Sequence, residues 1–156
     1  MKFTPIKIVN PFIPFDGFKA MATLFIVWIR KECINRIDIY TENHEKIHCI
    51  QQVELAITGL IVGLLFSVIL SNWWWMLLAL GFPFGLYILC WLIELILPPF
   101  DNAYKNICFE SEALYNECDL EYLSKRKLFQ FSFFKYISNK KYPYISKSKR
   151  LELHKK

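Results

Sequence analysis

Between Leu55 and Ile93 the chain runs for 39 residues without an Asp, Glu, Lys, Arg or His. A buried helix of a soluble domain rarely stays uncharged for so long. A helical bilayer crossing needs about 20 apolar residues, so the block has room for two. Ser71-Asn72 is the natural turn, with Leu55 to Leu70 before it and Trp73 to Leu97 after it. Trp73, Trp74 and Trp75 stand beside that turn, where indoles favour the membrane interface. Pro83, Gly81 and Gly85 fall in the second segment, where neighbouring helices can satisfy an interrupted backbone. Glu94, near its far end, is expected to reach the headgroups or to pair with another group.

All 19 Lys and Arg lie outside this block, seven before it and twelve after it, and the Ser71-Asn72 turn has none. The positive-inside rule then places both termini in the cytoplasm. The net charge of +5 belongs to the flanks and fits a lipid surface rather than nucleic acid. A composition of 54% hydrophobic residues, concentrated in one block, excludes a disordered chain and a secreted miniprotein. The first twenty residues contain Pro5, Pro11, Pro14 and Asp16 and no long apolar run, so no cleavable signal peptide is expected. Cys33, Cys49, Cys90, Cys108 and Cys118 are odd in number and lack CxxC spacing, which fits free thiols.

Four sections follow: residues 1–54, 55–97, 98–137 and 138–156. In the first, Thr23 to Ile29 reads as a strand and Ile34 to Tyr40 as its hairpin partner, with Arg30 to Glu32 near the turn. A helix is expected from Asn43, capped by Thr41 or Asn43, with Glu42 and Glu45 near its positive end. No Pro or Gly interrupts it before Gly59, so it should run into the first span. After Pro98-Pro99, Asp101 to Glu121 reads as a polar helix. Leu120, Leu123, Leu128, Phe131 and Phe134 then recur at helical spacing among basic residues, which predicts an amphipathic helix. Tyr142-Pro143 to Lys156 reads as a mobile basic tail. The expected fold is a mainly α membrane protein, with a two-span helical hairpin between two functional helices and a short N-terminal β-hairpin.

The first functional helix carries His44-Glu45-Lys46-Ile47-His48, an HExxH. Residues four apart share a helix face, so both imidazoles can meet one zinc ion (Zn2+), with Glu45 as general base for its water. A catalytic zinc usually has three protein ligands. His154 is a weak third candidate. Glu110 and Glu112 are better placed, in a segment that returns beside the HExxH helix after the hairpin. They face nearly opposite sides of a helix, so only one can easily reach the metal. Glu110 has small Ala113 three residues on, allowing close helix approach. Glu112 has Asn116 four residues on, an amide able to orient a ligating histidine. Tyr104, Tyr115 and Arg126 are candidate oxyanion stabilisers. Asn43 reads as a cap, and Gln51 and Gln52 as structural or substrate-binding amides.

HExxH followed by a later glutamate helix resembles the gluzincin-type zinc peptidases, and the intervening hairpin is similar to membrane peptidases of the HtpX and BlaR types. The closest resemblance is to a family of small bacterial membrane proteins of uncharacterised activity. It rests on His44 to His48, Gln51-Gln52, Glu54, the hairpin, Phe109-Glu110-x-Glu112-Ala113 and Asn116-Glu117, and covers about residues 15 to 137. It implies a zinc metallopeptidase of the bacterial inner membrane acting on a peptide or protein substrate. It also implies Glu110 as the third ligand, opening an ExxAD-like pattern. Leu114 stands where that pattern has its Asp, and Asn116 or a register with Glu112 as ligand would compensate. An edge strand such as Thr23 to Ile29 would bind substrate by β-augmentation. Two other readings compete. One is a non-enzymatic membrane protein with a closed zinc site of four protein ligands, drawing on Glu112 or Cys108. The other is a metal-free, membrane-anchored interaction module whose tail binds anionic lipid.

Overall fold

Asp38 starts the helix that organises the molecule. In the computed structural model, which describes residues 4–96, 103–137 and 146–153, its carboxylate accepts the Thr41 N–H at 2.7 Å and the Thr41 hydroxyl at 2.8 Å. Helix α1 therefore begins at Ile39 and runs to Ile69, 31 residues. Thr41 and Asn43, expected as caps, lie inside it, because Asp38 already caps the helix and accepts the Thr41 N–H. At 1.5 Å per residue α1 is about 46 Å long, more than the bilayer core of about 30 Å. Its first half is polar, and its apolar half begins at Leu55.

Ser71 and Asn72 turn the chain, and Trp73–Leu77 forms a 3-10 segment whose first N–H groups are capped by Asn72. Helix α2, Leu78–Ile96, then returns along α1. Ile39–Ile69 and Trp73–Ile96 are both long and apolar enough to cross a membrane, and only 6% of the most apolar window of the second is covered by protein. Gly59 and Gly63 explain why the two pack so closely. A Cβ at Gly59 would collide with the Leu78 carbonyl, and one at Gly63 with the Trp75 carbonyl. This small-xxx-small spacing is the usual way to bring helix backbones together in lipid.

The N-terminal sheet has three strands, β1 (Ile6–Asn10), β2 (Ala20–Thr23) and β3 (Ile26–Arg30), in the order β1-β3-β2. β2 and β3 form the antiparallel hairpin, and β1 adds parallel to β3. The expected strand Ile34 to Tyr40 does not form. Lys31–Arg36 is a 3-10 helix, and Asp38 diverts the following residues into α1. Thr23 to Ile29 is likewise not one edge strand: it contains the hairpin turn, and β3 is central. Gln52 of α1 clamps that turn. Its Oε1 accepts the N–H of Leu24, which has a left-handed φ of 52°, at 2.6 Å, and its Nε2 donates to the Ala22 carbonyl at 3.1 Å.

The expected polar helix is broken into α3 (Ala103–Asn106) and α4 (Cys108–Asn116), and the expected amphipathic helix is reduced to α5 (Tyr122–Lys125) and a 3-10 turn, Ser132–Tyr136. The aromatic residues there pack inward instead of along one helical face. Phe133 is fully buried, 4.3 Å from the Phe109 ring by centroid, in a cluster with Leu55, Ile107 and Tyr136. Arg126 fixes this segment to α1. It forms a buried two-pronged ion pair with Glu54 at 2.6 and 2.8 Å and donates to Glu112 at 2.8 Å, so it is a strut and not an oxyanion group. The tail also departs from expectation. Lys147–Leu153 is a helix, α6, whose Lys147 pairs with Asp38 at 2.5 Å. Pro98-Pro99, Asp101, Tyr142-Pro143 and His154 lie outside the described residues. The five cysteines are all free.

Candidate metal centre

Three side chains meet where α1 faces α4. His44 Nε2 and His48 Nε2 are 3.1 Å apart, Glu110 Oε2 is 3.5 Å from His44 Nε2, and Glu110 Oε1 is 3.4 Å from His48 Nε2. Two ligands of a tetrahedral zinc with bonds of about 2.0–2.1 Å stand about 3.3–3.4 Å apart. Each pair of groups therefore stands at zinc-ligand spacing, with the two histidines meeting different oxygens of Glu110. Among the described residues, His44, His48 and Glu110 form a group able to hold a metal ion, and no fourth ligand joins them.

Each histidine is held by its other nitrogen. His48 Nδ1 is 2.8 Å from Gln51 Oε1, while Gln51 Nε2 donates to the Phe109 carbonyl at 3.1 Å and to Glu112 at 2.9 Å. Those two acceptors fix the amide orientation, so its oxygen faces His48, which places a proton on Nδ1 and turns Nε2 toward His44 and Glu110. His44 Nδ1 faces Glu117 Oε2 at 3.1 Å, and Arg150 of α6 donates to Glu117 Oε1 at 2.8 Å. Glu117 lies seven residues after Glu110, two helical turns along the same face. It supplies the carboxylate that Leu114 cannot. Partners of this kind set ring orientation and tautomer at metal sites.

Glu112 does not approach the imidazoles. It is saturated by Arg126, Gln51 and the Tyr122 hydroxyl at 2.7 Å. Asn116 orients neither histidine: its amide donates to the Glu112 carbonyl at 2.7 Å and the Tyr136 hydroxyl at 2.9 Å. Asn43 donates to the Glu117 carbonyl at 2.9 Å and the Asp119 carbonyl at 3.0 Å, tying α1 to the end of α4. Glu45 is buried, and its carboxylate lies near the Ala22 backbone of β2, between the metal triangle and the sheet. Tyr87, hidden from sequence reasoning inside the apolar block, donates its hydroxyl to Glu110 at 3.1 Å. Burial and the influence of the Glu110 carboxylate raise the Tyr104 pKa, whereas Tyr115 packs against Tyr136.

The electrostatics favour positive charge on the imidazoles. Burial opposes charge on His44, but Glu110 and Glu117 outweigh it and raise its pKa to about 10. Burial resists ionisation of Glu110, yet the two imidazoles hold its carboxyl well below the usual range. Glu45 is shifted upward, chiefly by burial, the direction that suits a general base working near neutral pH.

The triangle opens into a cavity of about 880 Å³. Its polar end is formed by His44, Glu45, His48, Glu110 and Glu117, and its apolar end by Leu55, Pro83 and Phe84. Strand β2 borders it. The Arg30 N–H bonds the Lys19 carbonyl, so with the β2–β3 register Ala20 and Ala22 direct both backbone groups away from β3. The Ala22 carbonyl is taken by Gln52, which makes Ala20 the residue whose edge groups are best placed to pair. Compared with protein-family models, curated proteins and solved structures, the chain matches none.

Proposed function

We propose that this protein is a zinc-dependent peptidase embedded in a bacterial inner membrane, with both termini and its active site on the cytoplasmic side. The observation that carries the reading is the group of His44, His48 and Glu110 at zinc-ligand spacing with a buried Glu45 beside it, open on its fourth side to a cavity. A structural zinc site would close that side with a fourth protein ligand. Glu112 is engaged elsewhere, and Cys108 is not among the converging groups, so the catalytic reading is favoured over the structural one.

His44, His48 and Glu110 would hold the ion. Bound there, zinc supplies a Lewis acid that polarises a carbonyl and lowers the pKa of a water molecule toward about 7. Glu45 takes a proton from the attacking water and returns it to the leaving amine. The Tyr87 and Tyr104 hydroxyls, at the Glu110 side of the cavity, are placed to donate toward the carbonyl oxygen. The Ala20 edge of β2 can pair with an extended substrate backbone. Gln51, Glu117 and Arg150 keep the ligands aimed.

Metal analysis of the purified protein tests the reading, with His48→Ala beside wild type. About one zinc per chain, lost in the variant, is expected. Absence of zinc from folded wild-type protein supplied with metal would leave a metal-free membrane module as the better description.

A further inference from the structure

We infer that the substrate is a polypeptide whose cleaved bond lies beside a bilayer-embedded apolar segment, and that it enters the cavity from the membrane side. The inference rests on the peptidase reading and names the substrate class for that site. The cavity joins two unlike environments. Around the triangle it is polar, and its far end is lined by Leu55 and by Pro83 and Phe84 of α2. Those residues belong to the uncharged block, and the α2 stretch containing Phe82, Leu86 and Tyr87 packs against the core cluster that includes Leu55. A site serving soluble peptides has no need to extend into that block.

The rim is made to meet lipid. Phe84 is 49% exposed, Phe15 75% and Phe18 45%, and Phe18 packs edge-on to Tyr104 at 5.9 Å. Phe12, in the same loop, is 81% exposed. Three exposed aromatic rings lining the cavity, with Phe12 exposed in the same loop as two of them, form a surface that water solvates poorly and an interface accommodates. Lys19 and Lys105 also line the cavity, where anionic headgroups would meet them.

The dimensions fix where the bond should lie. The apolar half of α1, from Leu55 to Ile69, rises only about 22 Å against a bilayer core of about 30 Å. The interface is thereby drawn toward the polar half of the helix. His48 precedes Leu55 by seven residues, about 10 Å along the axis. An extended chain covers that distance in about three residues at about 3.3 Å each. A strand paired with Ala20 beside the metal triangle therefore reaches the level of Leu55 about three residues from the bond.

The test uses full-length zinc-loaded protein in phosphatidylcholine–phosphatidylglycerol vesicles and three synthetic probes. One is a Leu/Ala transmembrane segment followed by a randomised polar extension; the second is the extension alone; the third has a long Gly/Ser spacer between segment and extension. Mass spectrometry should find cuts only in the first, clustered within about three residues of the apolar segment, at a rate at least about tenfold above the others. Equal cutting of the free extension, or cuts spread evenly along the anchored one, would overturn the inference. If wild type cuts nothing, the peptidase reading fails, and a benzophenone side chain at exposed Phe84 then decides the entry route alone. Photo-adducts with the anchored probe and not the free one support membrane-side entry; adducts with both or with neither overturn it.

Discussion

Arg150 donates to Glu117 at 2.8 Å, and the second oxygen of that carboxylate faces His44 Nδ1 at 3.1 Å. A side chain 106 positions after the histidine thus helps set the orientation of a candidate metal ligand from outside the His44, His48 and Glu110 group. Arg150→Ala is expected to weaken zinc affinity by about tenfold or more, the usual effect of losing such an outer partner. Arg150→Lys should restore part of it. Competition with a fluorescent chelator measures the change, and unaltered affinity in Arg150→Ala would remove α6 from the metal centre.

Glu45→Gln should abolish hydrolysis of any substrate while zinc stays near one per chain. The amide keeps the shape and cannot accept the proton. Metal analysis and an activity assay on the same preparation separate the two effects, and retained turnover would disprove the role of Glu45.

Protons and zinc compete for the same nitrogens. With the His44 pKa raised from 6.5 to about 10, the proton contributes stability to the metal-free protein fully below about pH 6.5, and that contribution is lost as pH rises toward 10. Thermal melts of metal-free protein in detergent should therefore weaken between those limits. Zinc must displace the His44 proton near neutral pH, so its affinity should rise with pH over the same window. Calorimetry in buffers of different ionisation enthalpy would count the protons released.

Arg126→Ala leaves Glu54 and Glu112 buried without their cation. Breaking one partner of a buried ion pair costs about 3–5 kcal/mol, so this variant should melt far below wild type whether or not zinc is present. A folded, fully stable Arg126→Ala protein with reduced turnover would instead restore the oxyanion role.

Gly63→Leu should separate the two apolar helices, because its side chain would occupy the position of the Trp75 carbonyl. Cysteines introduced on facing positions of α1 and α2 should crosslink in the parent and fail to do so in the variant. Leu64→Ala, on an exposed position, serves as the neutral control.

The hairpin and HExxH were legible because each depends on local spacing: a long uncharged run, and two histidines one turn apart. The sheet was less so. Ile6–Asn10 is flanked by Pro5 and Pro11 and gains strand form only by pairing with β3, a partner twenty positions away. Asp38 was readable as a cap, but the β-branched run around it masked the signal. Neither Glu117 nor Gln51 could be assigned to a histidine from sequence, since both depend on how α4 lies against α1. The basic tail looked solvated until Glu117 gave Arg150 a buried partner. Arg126 was misread for the same reason: a cation among basic neighbours does not disclose that two carboxylates wait inside.

His44 and His48 precede the apolar hairpin and Glu110 follows it. With the proposed two-span topology, these groups would share one compartment in a nascent chain only after the second crossing is complete. A chain that inserted a single span would strand Glu110 on the opposite side from the histidines, and no amount of available metal would assemble the centre. On the proposed reading, zinc retention would report biogenesis as well as chemistry, and a mis-inserted copy would be an inert protein instead of a misplaced hydrolase.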